Sequence, residues 1–163
     1  MKNEKLISIV IPIYNGAKYI SNIYTNIMNQ TYRPIELIFV NDGSKDDSEN
    51  VLKDIVKMHN CKSEIKIIIL SGPNGGIAVA RNRGMAASTG EYVMFADQDD
   101  WLEKDCVEKL MQVAGLTDAD MVIGGFRKVN QKGEILETWS LNPELSWSKY
   151  RITAPWGRLF RKS

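Results

Sequence analysis

The chain has 163 residues, a net charge of +1, 44% apolar and 25% charged residues, which suits one soluble domain with a real core. So balanced a charge argues against bulk electrostatic binding to nucleic acid. Cys61 and Cys106 have no CxxC spacing and His59 is the single histidine, which excludes a zinc or disulfide framework and fits a reducing cytoplasm.

The first element is the β-branched run Leu6 to Ile13. It is short and contains Pro12, so it reads as a buried strand and not as a signal peptide or membrane span. Asn15-Gly16 breaks it, and Ala17 to Asn29 carries Tyr19, Ile20, Ile23, Ile27 and Met28 at helical spacing. Ile35 to Val40 predicts a second strand, closed by the turn Asn41-Asp42-Gly43-Ser44. Asp46 or Asp47 then caps a helix through Ser48 and Val56. His59, at that helix's end, reads as a surface capping residue.

Ile65 to Leu70 is the third strand, and Ser71 to Gly76 is a glycine-rich turn. A third helix spans Ile77 to Ala87, and Glu91 to Ala96 is the fourth strand. A helix from Glu103 to about Val113 and a short strand Met121-Val122-Ile123 follow. Phe126–Val129 and Glu134–Thr138 flank Asn130–Gly133 as a hairpin. The C-terminal stretch is locally basic through Arg151, Arg158, Arg161 and Lys162, either as a face for an anionic substrate or membrane or as a solvated chain end.

Alternating strands and helices with short connections imply βαβ units and a mostly parallel sheet with helices on both faces: one α/β domain. In such a sheet the ligand lies beyond the carboxyl ends of the strands. That rule gathers Tyr14-Asn15, Asn41 to Ser44, Ser71 to Gly76 and Asp97 to Asp100 on one rim.

The run Asp97-Gln98-Asp99-Asp100 carries the most chemistry. Three carboxylates in four residues repel one another, and a half-buried cluster needs a cation, a proton or hydrogen bonds. Oxygen ligands of this kind suit Mg²⁺ or Mn²⁺ with positions left for water and phosphate. The alternative is a solvated acidic turn capping the next helix. Other sites fail on spacing. There is no GxxxxGK[ST], no strand–GxGxxG–helix unit and no Gly-x-Ser-x-Gly. An EF-hand register would put Trp101 and Leu102 where an oxygen ligand and glycine belong.

Five segments in order resemble the catalytic domain of a family 2 glycosyltransferase with the GT-A fold. They are Ser8–Asn15, Asn29–Tyr32, Glu36–Ser44, Asn74–Gly84 and Gly90–Leu102, covering about the first 115 residues. A weaker match runs through Pro155-Trp156-Gly157-Arg158-Leu159-Phe160, where Arg158 replaces the family's usual lysine.

The resemblance implies transfer of a sugar from a nucleotide diphosphate-sugar, UDP-linked by preference, to a saccharide or lipid-linked acceptor hydroxyl with inversion. It implies that Pro12, Tyr14 and Asp42 hold the nucleoside, with Asp42 accepting from the base edge. Asp97 would contact the ribose or metal-bound water, Asp99 would ligate Mn²⁺ or Mg²⁺, and Arg81 would lie against the nucleotide. Each residue has a plainer reading beside this one. Tyr14 packs beside its turn, Asp42 and Asp100 cap turn and helix, Arg81 forms a surface ion pair, and Trp101 packs. The family's catalytic base lies in a Glu-Asp pair after the last matching segment, so it is expected beyond Ser163, in a longer enzyme with peripheral membrane association through that further part. Two other classes stay open: a sugar nucleotidyltransferase, which usually starts on a glycine-rich basic loop unlike Tyr14–Ala17, and a non-catalytic nucleotide-sugar-binding module.

Overall fold

A computed structural model describes residues 4–59, 64–130, 132–140 and 157–162. The strands are β1 (Ile7–Ile13), β2 (Ile35–Asp42), β3 (Ile65–Gly72), β4 (Tyr92–Phe95), β5 (Met121–Ile123), β6 (Phe126–Val129), β7 (Ile135–Trp139) and β8 (Arg158–Arg161). The helices are α1 (Ala17–Met28), α2 (Ser48–Met58), α3 (Ile77–Ala87) and α4 (Cys106–Thr117). Six strands form one sheet in the order β3-β2-β1-β4-β8-β5, and β6 and β7 form the expected hairpin.

The central strands explain the layering. β1 and β2 are buried along their whole length, as parallel strands covered on both faces must be. Ile7, Ile9, Ile11 and Ile13, with Ile35, Leu37 and Phe39, face a core shared with Ile20, Ile23, Leu52, Val107 and Leu110 of α1, α2 and α4. Val10, Ile38 and Val40 face the other way, onto Ala80 of α3. The period of two thus sends Pro12 and Asp42 to the α3 side, at the carboxyl rim.

β1 pairs in parallel with both β2 and β4. Chain winding reverses between β1 and β4, which opens a crevice at that point of the rim.

α3 approaches the sheet closely because Gly84 has no side chain: a Cβ there would stand 2.2 Å from Val10 Cγ1. Gly84→Ala should therefore destabilise the protein by about 1–3 kcal/mol through overpacking. Thermal unfolding should show a fall of several degrees, and an unchanged Tm would contradict that closeness.

Three expectations need correction. Arg158–Arg161 forms β8, antiparallel to both β4 and β5, where the sequence showed only a motif. α4 begins at Cys106, not Glu103, because Asn26 brackets Leu102 with bonds of 2.8 and 2.9 Å and Gln30 holds Glu103 O and Val107 N. Trp101 does not pack into the core but is 69% exposed, since this loop is fastened through its backbone. Residues Cys61, Trp147, Arg151, Pro155 and Trp156 lie outside the described residues.

Candidate nucleotide-binding cleft

The crevice at the β1–β4 rim is a cleft of about 510 Å³, within the range of small-molecule sites. Its wall takes Pro12 and Tyr14 from the end of β1, Asp42 from the end of β2, and Asp97, Gln98 and Asp99 from the loop after β4. Of the residues expected to hold nucleotide or ion, Pro12, Tyr14, Asp42, Asp97 and Asp99 line it, and Arg81 stands behind Asp97. Asn74, Gly76 and Ile77 complete the α3 side. Glycine-rich turn chemistry marked that segment, yet no sequence signal gave Asn74 or Ile77 a role.

The β1–α1 turn is built by its neighbour. Asn15 adopts φ +49°, and its amide donates to Ser44 Oγ at 3.1 Å. Gly16 N donates to Ser48 Oγ and Ala17 N to Asp46 Oδ2, both at 3.0 Å. The first amides of α1 are thus capped by side chains of the β2–α2 turn. Asp46 also accepts from Ser48, and those hydrogen bonds, led by the Ser48 hydroxyl, hold its carboxyl below the ordinary value. Asp47 occupies the N-cap position of α2 without a side-chain cap bond. The Tyr14 ring, released above this turn, is 44% exposed and faces the cleft.

Asp42 is buried and already bonded. Its Oδ1 accepts from Gly75 N at 2.9 Å and its Oδ2 from Gly76 N at 2.8 Å, while Arg83 Nη1 lies 3.3 Å from Oδ1. The carboxylate thereby sits at the N-terminus of α3, where amide donors and helix dipole favour an anion. Asp42 does not cap its own turn, where Asn41 Oδ1 accepts from Ser44 N at 3.1 Å; it ties the end of β2 to the α3 loop instead. Oδ1 thus has both lone pairs engaged, and Oδ2, with one donor, keeps a further lone pair.

The acidic loop is held apart by specific partners. Asp97 Oδ1 accepts from Arg81 Nη2 at 2.6 Å, an ion pair that is half-buried and not on the surface. Arg81 Nε is buried with no hydrogen-bond partner among the described residues. Asp100 does not cap α4; its Oδ2 accepts from Asp97 N at 3.1 Å and closes the turn. Burial pushes the Asp100 carboxyl above its ordinary value, and the nearby charges of Asp97 and Asp99 add to this against the Asp97 amide. Asp99 is exposed, and no hydrogen bond to it is made among the described residues.

This donor set fits a hard divalent ion in one way. Among the described residues no group of three or more His, Cys, Asp or Glu gathers to hold an ion unaided. A pair of carboxylates, one of them unengaged, suits Mg²⁺ or Mn²⁺ completed by phosphate oxygens and water. Burial pushes the Cys106 thiol up to about 11, which leaves it inert as a nucleophile. His59 joins Tyr24 to the Ile65 carbonyl and is structural.

The sequence pattern of the Glycosyl transferase family 2 matches residues 8–160. The chain belongs to glycosyltransferase family 2. It is 38% identical over 124 residues to glycosyltransferase GlyG of Streptococcus pneumoniae serotype 4, a match that covers 76% of this chain and 40% of GlyG. Its fold matches S. aureus TarS in complex with UDP at a TM-score of 0.76 and 21% identity, over 95% of this chain and 46% of that one. It also matches the Pyrobaculum calidifontis mannosyltransferase in complex with GDP-Man and Mn²⁺, at a TM-score of 0.69 and 20% identity, over 78% of this chain and 37% of that one. The sheet, its flanking helices and the C-terminal hairpin are those of a GT-A domain. The chain of this family 2 member spans less than half the length of each of these proteins. Among its described residues no helix is long and apolar enough to cross a membrane.

Proposed function

We propose that this chain carries the donor site of an inverting glycosyltransferase that takes a UDP-sugar and transfers the sugar to a saccharide or lipid-linked hydroxyl. The observation that supports this most is that Tyr14 and Asp42 line the same cleft as the carboxylates of Asp97 and Asp99. An aromatic side chain suits a base, and carboxylates suit the counter-ion of a diphosphate. The likeness to TarS, solved in complex with UDP, supports UDP as the nucleotide, and the mannosyltransferase solved with GDP-Man makes GDP the alternative to titrate beside it.

In this reading Tyr14 stacks on the base and Asp42 accepts its N–H through a remaining lone pair. Pro12 packs beneath the nucleoside. Asp97 contacts the ribose or ion-bound water, and Asp99 holds the ion. Mn²⁺ or Mg²⁺, when bound, neutralises the negative charge that develops on the departing diphosphate. Arg81 steadies Asp97 from behind. Asp42 and Asp97 are tied to their own donors, so neither serves as the base that takes the acceptor's proton. We keep a reducing cytoplasmic setting, at the inner membrane face, as part of the proposal.

Asp42→Asn tests the base contact. Both UDP and ADP should lose affinity as the Gly75–Gly76 loop loosens. UDP should lose about ten-fold more, since a hydrogen bond to a charged group contributes about 1.5–3 kcal/mol. Titration of both nucleotides checks this, and an equal loss would confine Asp42 to holding the loop.

A further inference from the structure

Gln98 lies between the two cleft carboxylates, and its side chain points at the opposite wall. The β1–β4 ladder ends with Ala96 N donating to Val10 O at 3.2 Å. Beyond it the strands part, and a side-chain amide takes over the pairing. Gln98 Oε1 accepts from Tyr14 N at 3.1 Å, and Gln98 Nε2 donates to Tyr14 O at 3.4 Å. A primary amide offers the same donor and acceptor as a peptide group, so it extends the ladder by one step. Gly16 makes room for it: a Cβ on Gly16 would stand 2.2 Å from Gln98 Oε1 and 2.7 Å from Cδ. The backbone of Gly16, at φ −113°, asks for no glycine, so the need is steric and comes from Gln98.

We propose that Gln98 is a positioning residue. Its amide latches the Tyr14 wall to the Asp97–Asp99 loop, so that the nucleoside and diphosphate ends of the donor meet one rigid site. The proposal rests on the nucleotide-sugar reading of this cleft. Without the latch a ligand spanning both ends must order the two loops itself, and affinity falls by that ordering.

The test uses Gln98→Met, which keeps length and loses both hydrogen bonds, and Gly16→Ala, whose methyl group displaces the amide. Neither strains the backbone, and the ligand-free Tm of each should fall by no more than about 3–6 °C, the worth of the two lost hydrogen bonds. In the ligand-free protein, hydrogen exchange at Tyr14 N–H should speed up about ten-fold or more in each variant. The Kd for UDP with Mn²⁺ should rise about ten-fold in each, the worth of two ordinary hydrogen bonds. In the Gln98→Met background, Gly16→Ala should add less than about two-fold, because the two changes break one contact. Unchanged Tyr14 exchange, an unchanged Kd for UDP, or fully additive losses would overturn the latch. If the parent protein binds no UDP, the donor reading falls instead, and Tyr14 exchange still decides whether the latch exists.

Discussion

Asp99→Ala should remove the metal-dependent part of nucleotide binding and leave the fold intact. Asp99 is exposed in the cleft, and its carboxylate accepts no hydrogen bond from the described residues, so no internal contact is lost with it. Asp97 remains, but its Oδ1 is spent on Arg81 at 2.6 Å. A single paired carboxylate is a poor anchor for a divalent ion. At UDP a hundred-fold above Kd, mass action stabilises the native state by about 2.7 kcal/mol, a rise in Tm of roughly 5–10 °C for a chain of this size. In the parent protein Mn²⁺ should enlarge that rise; in Asp99→Ala the curves with and without Mn²⁺ should coincide. A variant that keeps the Mn²⁺ increment would place the ion elsewhere.

Glu36→Ala should be the most destabilising of these substitutions. Glu36 is fully buried at the start of β2, at the end of the sheet away from the cleft. It accepts from Ser8 Oγ at 2.7 Å, from Thr89 N and Thr89 Oγ1 at 2.8 Å each, and from Lys66 Nζ at 3.3 Å. Ser8 Oγ in turn accepts from Gly90 N at 2.9 Å. The carboxylate therefore fixes the turn that carries the chain from α3 into β4, and with it the register that delivers Asp97. Removing it strands the buried Ser8 hydroxyl and unties the Thr89 amide and hydroxyl, which costs about 3 kcal/mol and roughly 6–12 °C in Tm.

The pH dependence has a definite sign. Burial by itself raises the Glu36 carboxyl, but the Thr89 amide, the Ser8 and Thr89 hydroxyls and Lys66 outweigh it and hold the group below its ordinary 4.5. The folded state then binds fewer protons than the unfolded state. The stabilisation is complete above the ordinary pKa and is lost as pH falls through the lowered folded value. Urea midpoints of parent and Glu36→Ala should be well apart at neutral pH and converge below pH 4.5. A gap that stayed constant into acid would mean Glu36 is held as the neutral acid.

The cleft was legible in the sequence because each of its walls ends a strand with its own turn signal. Tyr14-Asn15, Asn41–Ser44 and Asp97–Asp100 all follow apolar runs, and the open-sheet rule puts them together. What those residues touch was not legible. Asp42 bonds amides more than thirty positions on, and Gln98 bonds a peptide 84 positions back, so no local pattern marks either. The start of α4 misled for the same reason: local propensity favoured helix from Glu103, and Asn26 and Gln30 of the α1 region override it with backbone bonds. β8 has only four residues and draws its stability from two antiparallel neighbours, not from any alternation of its own.

A crystal structure of the protein soaked with UDP and Mn²⁺ tests the donor-site reading most directly. The base should stack on Tyr14 with its N–H toward Asp42, and the diphosphate should lie beside Asp97 and Asp99 with the ion on Asp99. A nucleotide seated away from the β1–β4 rim, or no bound nucleotide at millimolar UDP, would contradict it.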